Sequence, residues 1–165
     1  FEILLTQGAN EPQQIVDIYA GALSRLGIEP VITTVDSAQF KERTNTFDFD
    51  MVWYQWGLSL SPGNEQFGYW GSEAAEAEGS RNMMGVRSPA IDGLIDTMIT
   101  STRGEDFLAA TRALDRVLTS GRYVIPVWHN PVSYLAHAKE LRYPDTLPIY
   151  GDWIGFQPDV WWYEE

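Results

Sequence analysis

Carboxylates near a predicted strand are the first residues in this 165-residue sequence whose types and spacing could do chemistry. Asp48 and Asp50 are two positions apart where a strand is expected to begin, so their side chains would share one face. A carboxylate pair can supply the acid and the base or nucleophile of glycoside hydrolysis. Paired aspartates at a strand entrance also commonly do no more than face solvent. A glycosidase-like hydrolase that uses Asp48 and Asp50 is therefore the enzymatic alternative.

A binding loop is predicted directly after the third expected strand, in the segment Tyr54–Phe67 with sequence YQWGLSLSPGNEQF. Trp56 offers a flat aromatic face, Gly57 a flexible backbone and Ser59 a hydroxyl group. Ligands of open parallel sheets gather outside the carboxyl ends of the strands. The loop has no general base beside a nucleophile, which favours binding over catalysis; a Trp56 packed in the core is the other open interpretation. The candidate ligand-binding residues are Trp56, Gly57, Ser59, Gln7 and Asn82.

Composition excludes several classes of function. The sequence has no cysteine and only two histidines, His129 and His137, so no metal site and no cofactor are predicted. Acidic residues number 23 against 11 lysines and arginines, and the resulting net charge of -12 would repel a nucleic-acid backbone. No apolar run approaches the roughly 20 residues of a membrane helix, so direct membrane insertion is not expected.

The first third of the sequence alternates between strand and helix patterns. Strands are predicted at 1–6, 30–35 and 50–56, and helices at 12–26 and from Ser37 to about 43, with Ser37 as the capping residue. Such alternation is typical of parallel strands joined by right-handed crossovers. The predicted fold class is α/β, with a mainly parallel sheet flanked by helices, and the strands at 1–6, 30–35 and 50–56 should be neighbours.

The rest of the chain has a different pattern. A long loop at 58–80 should hold one or two short helical turns, and two helices should follow, one from Ser88-Pro89 and one at 105–120. The first has an apolar stripe at helical spacing: Ile91, Leu94, Ile95, Met98 and Ile99. Strands are predicted at 123–128 and 132–136. The tail from Tyr143 has three prolines, two glycines and three tryptophans and shows no period.

Three ordered segments resemble the solute-binding proteins that deliver peptides to ABC importers, in the YejA-like oligopeptide-binding branch. They are the strand and loop at 47–57 (FDFDMVWYQWG), the segment at 82–95 (NMMGVRSPAIDGLI), and the helix at 112–118 (RALDRVL) followed by VIPVW at 124–128. Together they span positions 47–128. The resemblance implies one lobe of a two-lobed periplasmic binding protein, of type II-like fold, and no enzymatic activity.

That resemblance also implies a domain organisation and partners. Positions 1–142 would form the ligand-binding lobe, and 143–165 would cross back to pack on another lobe that the chain lacks. The protein would be periplasmic, would capture an oligopeptide or related solute, and would deliver it to an inner-membrane ABC permease. Left without its partner lobe, the tryptophan-rich tail would favour self-association.

One residue departs from the family pattern. Many peptide binders of this family place an aspartate three residues after the loop tryptophan to hold the free α-amine of the peptide. Ser59 stands at that position, and a hydroxyl cannot neutralise an ammonium group in a desolvated cleft. Blocked peptides, peptide conjugates and carbohydrates are therefore alternative solutes.

Overall fold

The structure is a computed structural model that describes residues 1–57, 61–127, 132–148 and 156–165. The described residues form two compact units. The first comprises Phe1–Gly57 and Pro62–Tyr123, and the second comprises Ser61 and the described part of Val124–Glu165. The sequence predicts a boundary at residue 142, between the ligand-binding lobe and the C-terminal crossover segment. The crossover role of 143–165 stays a prediction.

Three parallel strands form the sheet of the first unit. They are β1 (Glu2–Thr6), β2 (Val31–Val35) and β3 (Met51–Val52), in the order β2-β1-β3. The predicted parallel neighbours at 1–6, 30–35 and 50–56 are therefore confirmed, and with them the α/β fold class, although β3 has only two residues. Ile3, Leu4 and Leu5 of β1 are all buried, as expected for a central parallel strand covered on both faces.

Helices α1 (Asn10–Ser24) and α2 (Ser37–Asn45) follow the first two strands. Val16 of α1 packs with Ile3 and Leu5 on one face of the sheet, which confirms that the first predicted helix covers it. The predicted cap of α2 was wrong by one residue. Asp36 is the capping residue, because its Oδ1 accepts hydrogen bonds from the backbone N–H groups of Ala38 and Gln39 at 2.8 and 2.9 Å.

The remainder of the first unit is helical. Helix α3 (Glu65–Trp70) and a 3₁₀ turn (Glu73–Glu76) occupy the predicted long loop, and α4 (Pro89–Thr100) and α5 (Gly104–Gly121) confirm the two predicted helices. Helices α4 and α5 pack on each other around a shared core. Its buried residues are Val86, Ile91, Ile95, Met98, Ala110 and Leu114. No helix in the part of the chain that the structure describes is long and apolar enough to cross a membrane.

The second unit contains one short antiparallel pair, β4 (Leu141–Arg142) and β5 (Trp162–Tyr163). An aromatic cluster lies beside it, formed by His137, Tyr143, Phe156 and Trp161. The tail that seemed aperiodic in sequence thus contributes a strand and a buried side chain, Phe156. A two-residue strand is too short to produce a recognisable alternation.

Two predicted strands of this region are wrong. Residues 123–127 and 132–136 are not in strands, and Trp128 lies outside the described residues. Their β-branched and aromatic composition favours strands only where a pleated surface receives the side chains. Val124, Ile125 and Val127 instead expose about half of their surface.

One arginine fastens the start of β1 to α2. The Arg43 guanidinium donates from Nη2 and Nη1 to the two carboxylate oxygens of Glu2, at 2.6 and 3.2 Å. Its Nε donates to Asp48, both to the carbonyl oxygen at 2.9 Å and to Oδ2 at 3.0 Å. The hydrogen bond from Arg43 holds the pKa of Glu2 below its ordinary value.

The buried stripe of α4 generates a stability prediction. Ile95 is fully buried, so Ile95→Ala should lower the free energy of unfolding by about 2–5 kcal/mol. Ile18→Ala is the matched control, because Ile18 is 76% exposed and its truncation should change stability by less than about 0.5 kcal/mol. Denaturant unfolding measures both variants. Equal losses would mean that Ile95 does not anchor the core.

The Glu2–Arg43 pair generates a pH prediction. A carboxyl whose folded-state pKa is lowered stabilises the fold above its unfolded pKa, near 4.3, and loses that contribution as the pH falls through the folded-state value. The melting temperature of the wild type should therefore drop more steeply in acid than that of Glu2→Gln. Glu78→Gln, which changes an exposed loop glutamate, should keep the wild-type profile. Parallel profiles for wild type and Glu2→Gln would contradict the assignment.

Candidate functional site

A pocket of about 190 Å³ lies past the carboxyl end of β3. The residues that line it are Tyr54, Gln55, Trp56, Gly57, Tyr69 and Arg81. Four of them belong to the segment that follows β3, while Tyr69 lies in α3 and Arg81 in the loop before α4. The pocket therefore has the position that open parallel sheets favour for ligands.

Trp56 forms the aromatic wall of this pocket. Its ring centroid is 4.9 Å from that of Tyr69 and 5.6 Å from that of Trp70, with the Trp70 ring nearly perpendicular. The side chain is half-buried and belongs to neither core cluster. The predicted position of Trp56 on a rim that faces another lobe stays a prediction.

The indole Nε1 of Trp56 is shielded from solvent and has no hydrogen-bond acceptor among the described residues. A buried donor without an acceptor costs about 1–3 kcal/mol relative to a satisfied one. Such orphaned donors are rare in folded proteins and call for an explanation.

Arg81 provides the positive charge of the pocket. Its Nη1 donates to the hydroxyl oxygen of Tyr69 at 2.8 Å, and its Cζ lies 5.3 Å from the centroid of the Tyr69 ring. Arg81 is exposed. It takes part in none of the ion pairs in the described part of the chain. Among the described residues, no acidic side chain lines the pocket.

Helix α3, which carries Tyr69, begins at a turn closed by Glu65. Burial acts to raise the pKa of Glu65, but hydrogen bonds to its carboxylate outweigh this effect and the pKa is lowered. The backbone N–H of Gly63 donates to Oε1 at 2.8 Å, and Nε2 of Gln66 donates to the same atom at 3.2 Å. The charged carboxylate therefore stabilises the first turn of α3.

Asn82 fixes the segment that carries Arg81. Its Nδ2 donates to the carbonyl oxygens of Gly71 and Val86, and its Oδ1 accepts from the backbone N–H of Val86, each at 2.9 Å. The residue is completely buried. Because these three bonds occupy the amide, Asn82 has a structural role in place of the ligand contact that the sequence predicted.

The same segment is joined to the start of α4. Asp92 accepts from the backbone N–H of Ser72 at 2.9 Å and from its hydroxyl at 2.6 Å, and that hydroxyl accepts from the N–H of Ser88 at 3.1 Å. Gly71 makes this close path possible. A Cβ atom at Gly71 would lie 2.7 Å from the carbonyl oxygen of Phe67, closer than side chains are found.

The other predicted site residues have separate positions. Trp56 and Gly57 line the pocket together, and their predicted role in ligand binding stays a prediction. Gln7 is exposed at the carboxyl end of β1, where its backbone N–H donates to Val35 at 2.7 Å, and it does not line the pocket. Ser59 lies outside the described residues, so its expected role near a ligand amine stays a prediction.

The carboxylate pair of the hydrolase alternative has structural partners. Asp48 is exposed and bonds to Arg43, and Asp50 is exposed and accepts from the backbone N–H of Glu2 at 2.7 Å. Neither residue lines the pocket beside Trp56. A catalytic pair must flank a substrate in a cleft, so this geometry does not support a glycosidase that uses Asp48 and Asp50.

Sequence reasoning missed Tyr69 and Arg81. Both are far from Trp56 in sequence, and neither belongs to a motif with recognisable spacing. The one signal in the sequence for Arg81 was its position directly before Asn82, which was predicted to bind the ligand. The burial of Asn82 directs its neighbour outward, and this geometry emerges only from the folded loop.

Relatives match nearly the whole chain, whereas no family model matches it. The protein y4wM of Sinorhizobium fredii is 46% identical over 98% of this chain. In Agrobacterium fabrum, a probable peptide-binding protein YejA is 43% identical over 87% of the chain, and a peptidoglycan-binding protein YepA is 38% identical over 98%. The chain spans about a quarter of the length of these relatives, 24%, 23% and 25% in turn.

Solved structures share the fold. The oligopeptide-binding protein AppA of Bacillus subtilis, solved with a nonapeptide, superposes on 100% of this chain and 32% of its own, with a TM-score of 0.74 and 16% identity. The periplasmic binding protein DppA of Helicobacter pylori, solved with the peptide STSA, covers 76% of this chain and 24% of its own, with a TM-score of 0.66 and 20% identity. Over almost its whole length the chain is similar to part of proteins named YejA, one of them a probable peptide-binding protein, and it shares the fold of part of AppA and of DppA.

Proposed function

We propose that this chain contributes a ligand-binding lobe to a periplasmic protein that captures an oligopeptide or related solute for an ABC permease. The observation that carries the proposal is the pocket past β3, where an aromatic wall and one guanidinium lie at the carboxyl end of a parallel sheet. The names of the relatives and the shared fold support the same class of solute. Capture requires no catalytic group, and the lining residues include no general base beside a nucleophile.

Hinge closure would complete the site in the full-length protein. Lobes of this kind grip a ligand between them, and the hinge absorbs the motion. Binding energy would come from stacking on Trp56 and from hydrogen bonds to the backbone at Gly57. Delivery to an inner-membrane permease and a periplasmic location belong to the same proposal, as does self-association of an unpartnered lobe through the tail, where Trp162 is 48% exposed.

A carbohydrate or a peptide conjugate is the second candidate solute. The name of the relative YepA, a peptidoglycan-binding protein, favours it, and an indole face stacks on sugar rings as well as on peptide side chains. Mass spectrometry of the solute that co-purifies with the full-length protein distinguishes a plain peptide from one that carries sugar.

Truncation of the aromatic wall tests the proposed site. Loss of a buried aromatic anchor typically costs about 2 kcal/mol or more, so Trp56→Ala should weaken binding of the co-purified solute by roughly 30-fold or more. Trp56→Phe keeps a ring but removes the Nε1 donor, and it should lose less. Isothermal titration calorimetry of the full-length protein measures both variants.

The control for this experiment is Tyr134→Ala, which removes an 88% exposed aromatic side chain from the other unit. It should bind as the wild type does. Because Trp56 is absent from both core clusters, Trp56→Ala should melt within a few degrees of the wild type. Unchanged affinity, or unfolding of the variant, would mean that Trp56 serves the fold and not the site.

The serine that replaces the family's aspartate generates a further prediction. Ser59→Asp should improve binding of peptides with free amines over their acetylated forms, because a carboxylate would neutralise the ammonium group. Ser59→Asn introduces a similar volume without charge and should leave the ratio unchanged. Calorimetric titration with the two peptide forms measures the ratio of their affinities. An equal change of this ratio in both variants would mean that residue 59 does not bind the peptide amine.

A further inference from the structure

Arg81 carries a positive charge, and no carboxylate among the described residues forms an ion pair with it. Four other arginines (Arg43, Arg87, Arg103 and Arg142) form ion pairs at 2.6–3.8 Å. Arg81 instead donates from Nη1 to a neutral hydroxyl, that of Tyr69. A guanidinium has five N–H donors, so most of its capacity remains. Arg25, Arg112, Arg116 and Arg122 also form no ion pair among the described residues, so what distinguishes Arg81 is its position as the charged residue of the pocket lining.

Among the described residues, the lining of the pocket carries one positive charge and no negative charge. The guanidinium of Arg81 donates to the hydroxyl of Tyr69, and Tyr54 and Trp56 are the other aromatic residues of the lining. The lining residues include no carboxylate. An ammonium group entering here would meet a like charge and no counter-charge, which disfavours it in a partly desolvated site. A carboxylate would accept charge-assisted hydrogen bonds from the guanidinium.

We propose that the pocket is specific for an anionic ligand, with Arg81 binding a carboxylate of the captured peptide while the aromatic wall excludes water around the pair. This inference rests on the proposed function, because it names the chemical class of solute that the same pocket takes. The carboxylate could be the C-terminus of a peptide or an acidic side chain. Tyr69 positions the guanidinium through its hydroxyl, and the Asn82 bonds hold the backbone beside it.

Two tripeptide libraries that differ by one charge test the proposal on the full-length protein. One has random side chains and free C-terminal carboxylates, and the other is its C-terminal amide. Retained peptides are counted by mass spectrometry after the unbound material is removed. If Arg81 binds the C-terminal carboxylate, we expect enrichment of peptides with a free C-terminus. If Arg81 binds an acidic side chain, we expect enrichment of Asp and Glu within the amidated library.

The variant Arg81→Gln should abolish either enrichment and weaken binding of the most enriched peptide by at least about tenfold, the loss typical of a charge-assisted hydrogen bond. Arg81→Lys keeps the charge without the bidentate geometry and should retain part of the preference. Arg87→Gln removes an exposed arginine that pairs with Glu76 outside the pocket, and it should behave as the wild type does. Tyr69→Phe should keep the preference with a modest loss of affinity.

The outcomes separate the two proposals. Equal retention of amidated, non-acidic peptides by the wild type would overturn the carboxylate inference and leave peptide capture standing. A preference that survives in Arg81→Gln would also overturn it, because another residue would then bind the carboxylate. Retention of no peptide from either library would overturn peptide capture and the carboxylate inference together.

Discussion

The side-chain amide of Asn82 is the interaction on which the pocket depends. It is completely buried, and it links the carbonyl oxygen of Gly71 to both backbone groups of Val86. A buried amide without partners would cost about 1–3 kcal/mol for each unpaired group. The loop between α3 and α4 therefore adopts the path that satisfies the amide, and Arg81 takes its position from that path.

That bond network also joins the pocket to the core. Val86, whose N–H and carbonyl pair with Asn82, belongs to the same buried cluster as Ile91 and Ile95. Disturbing the core of α4 and α5 would thus move the loop that holds the guanidinium. On the opposite side the pocket is fixed by the sheet, because Trp56 follows β3 after only three residues. Two rigid parts of one unit place an aromatic ring and a charge beside each other.

Periodicity in the sequence predicted the elements well where one pattern covers many residues. The helices α1, α4 and α5 were recovered because burial on one face repeats over several turns, and the strands were recovered because their apolar, β-branched runs alternate with those helices. The apolar segments at 123–127 and 132–136 were mistaken for strands because composition reports side-chain preference and not the presence of a partner. Tyr69 and Arg81 could not be predicted, since their proximity to Trp56 depends on a loop path set by Asn82. The sequence predicted Asn82 as a ligand-binding residue, whereas its buried amide is bonded to the backbone of Gly71 and Val86.

Charge selection in a pocket of this size is decided by very few groups. The family resemblance implies an aspartate for amine recognition where this sequence has Ser59, so the sequence lacks that carboxylate. Arg81 instead brings a positive charge to the described lining of the pocket. The effective dielectric near a protein surface is well below that of water, so a single charge at a few ångströms exerts a force that solvent does not cancel. Long-range attraction would not supply the selectivity, because the net charge of -12 repels anions and salt screens it beyond about 8 Å. An anionic ligand would therefore be recognised only after entry, by direct contact with the guanidinium, and such short-range recognition governs the rate of release more than the rate of capture.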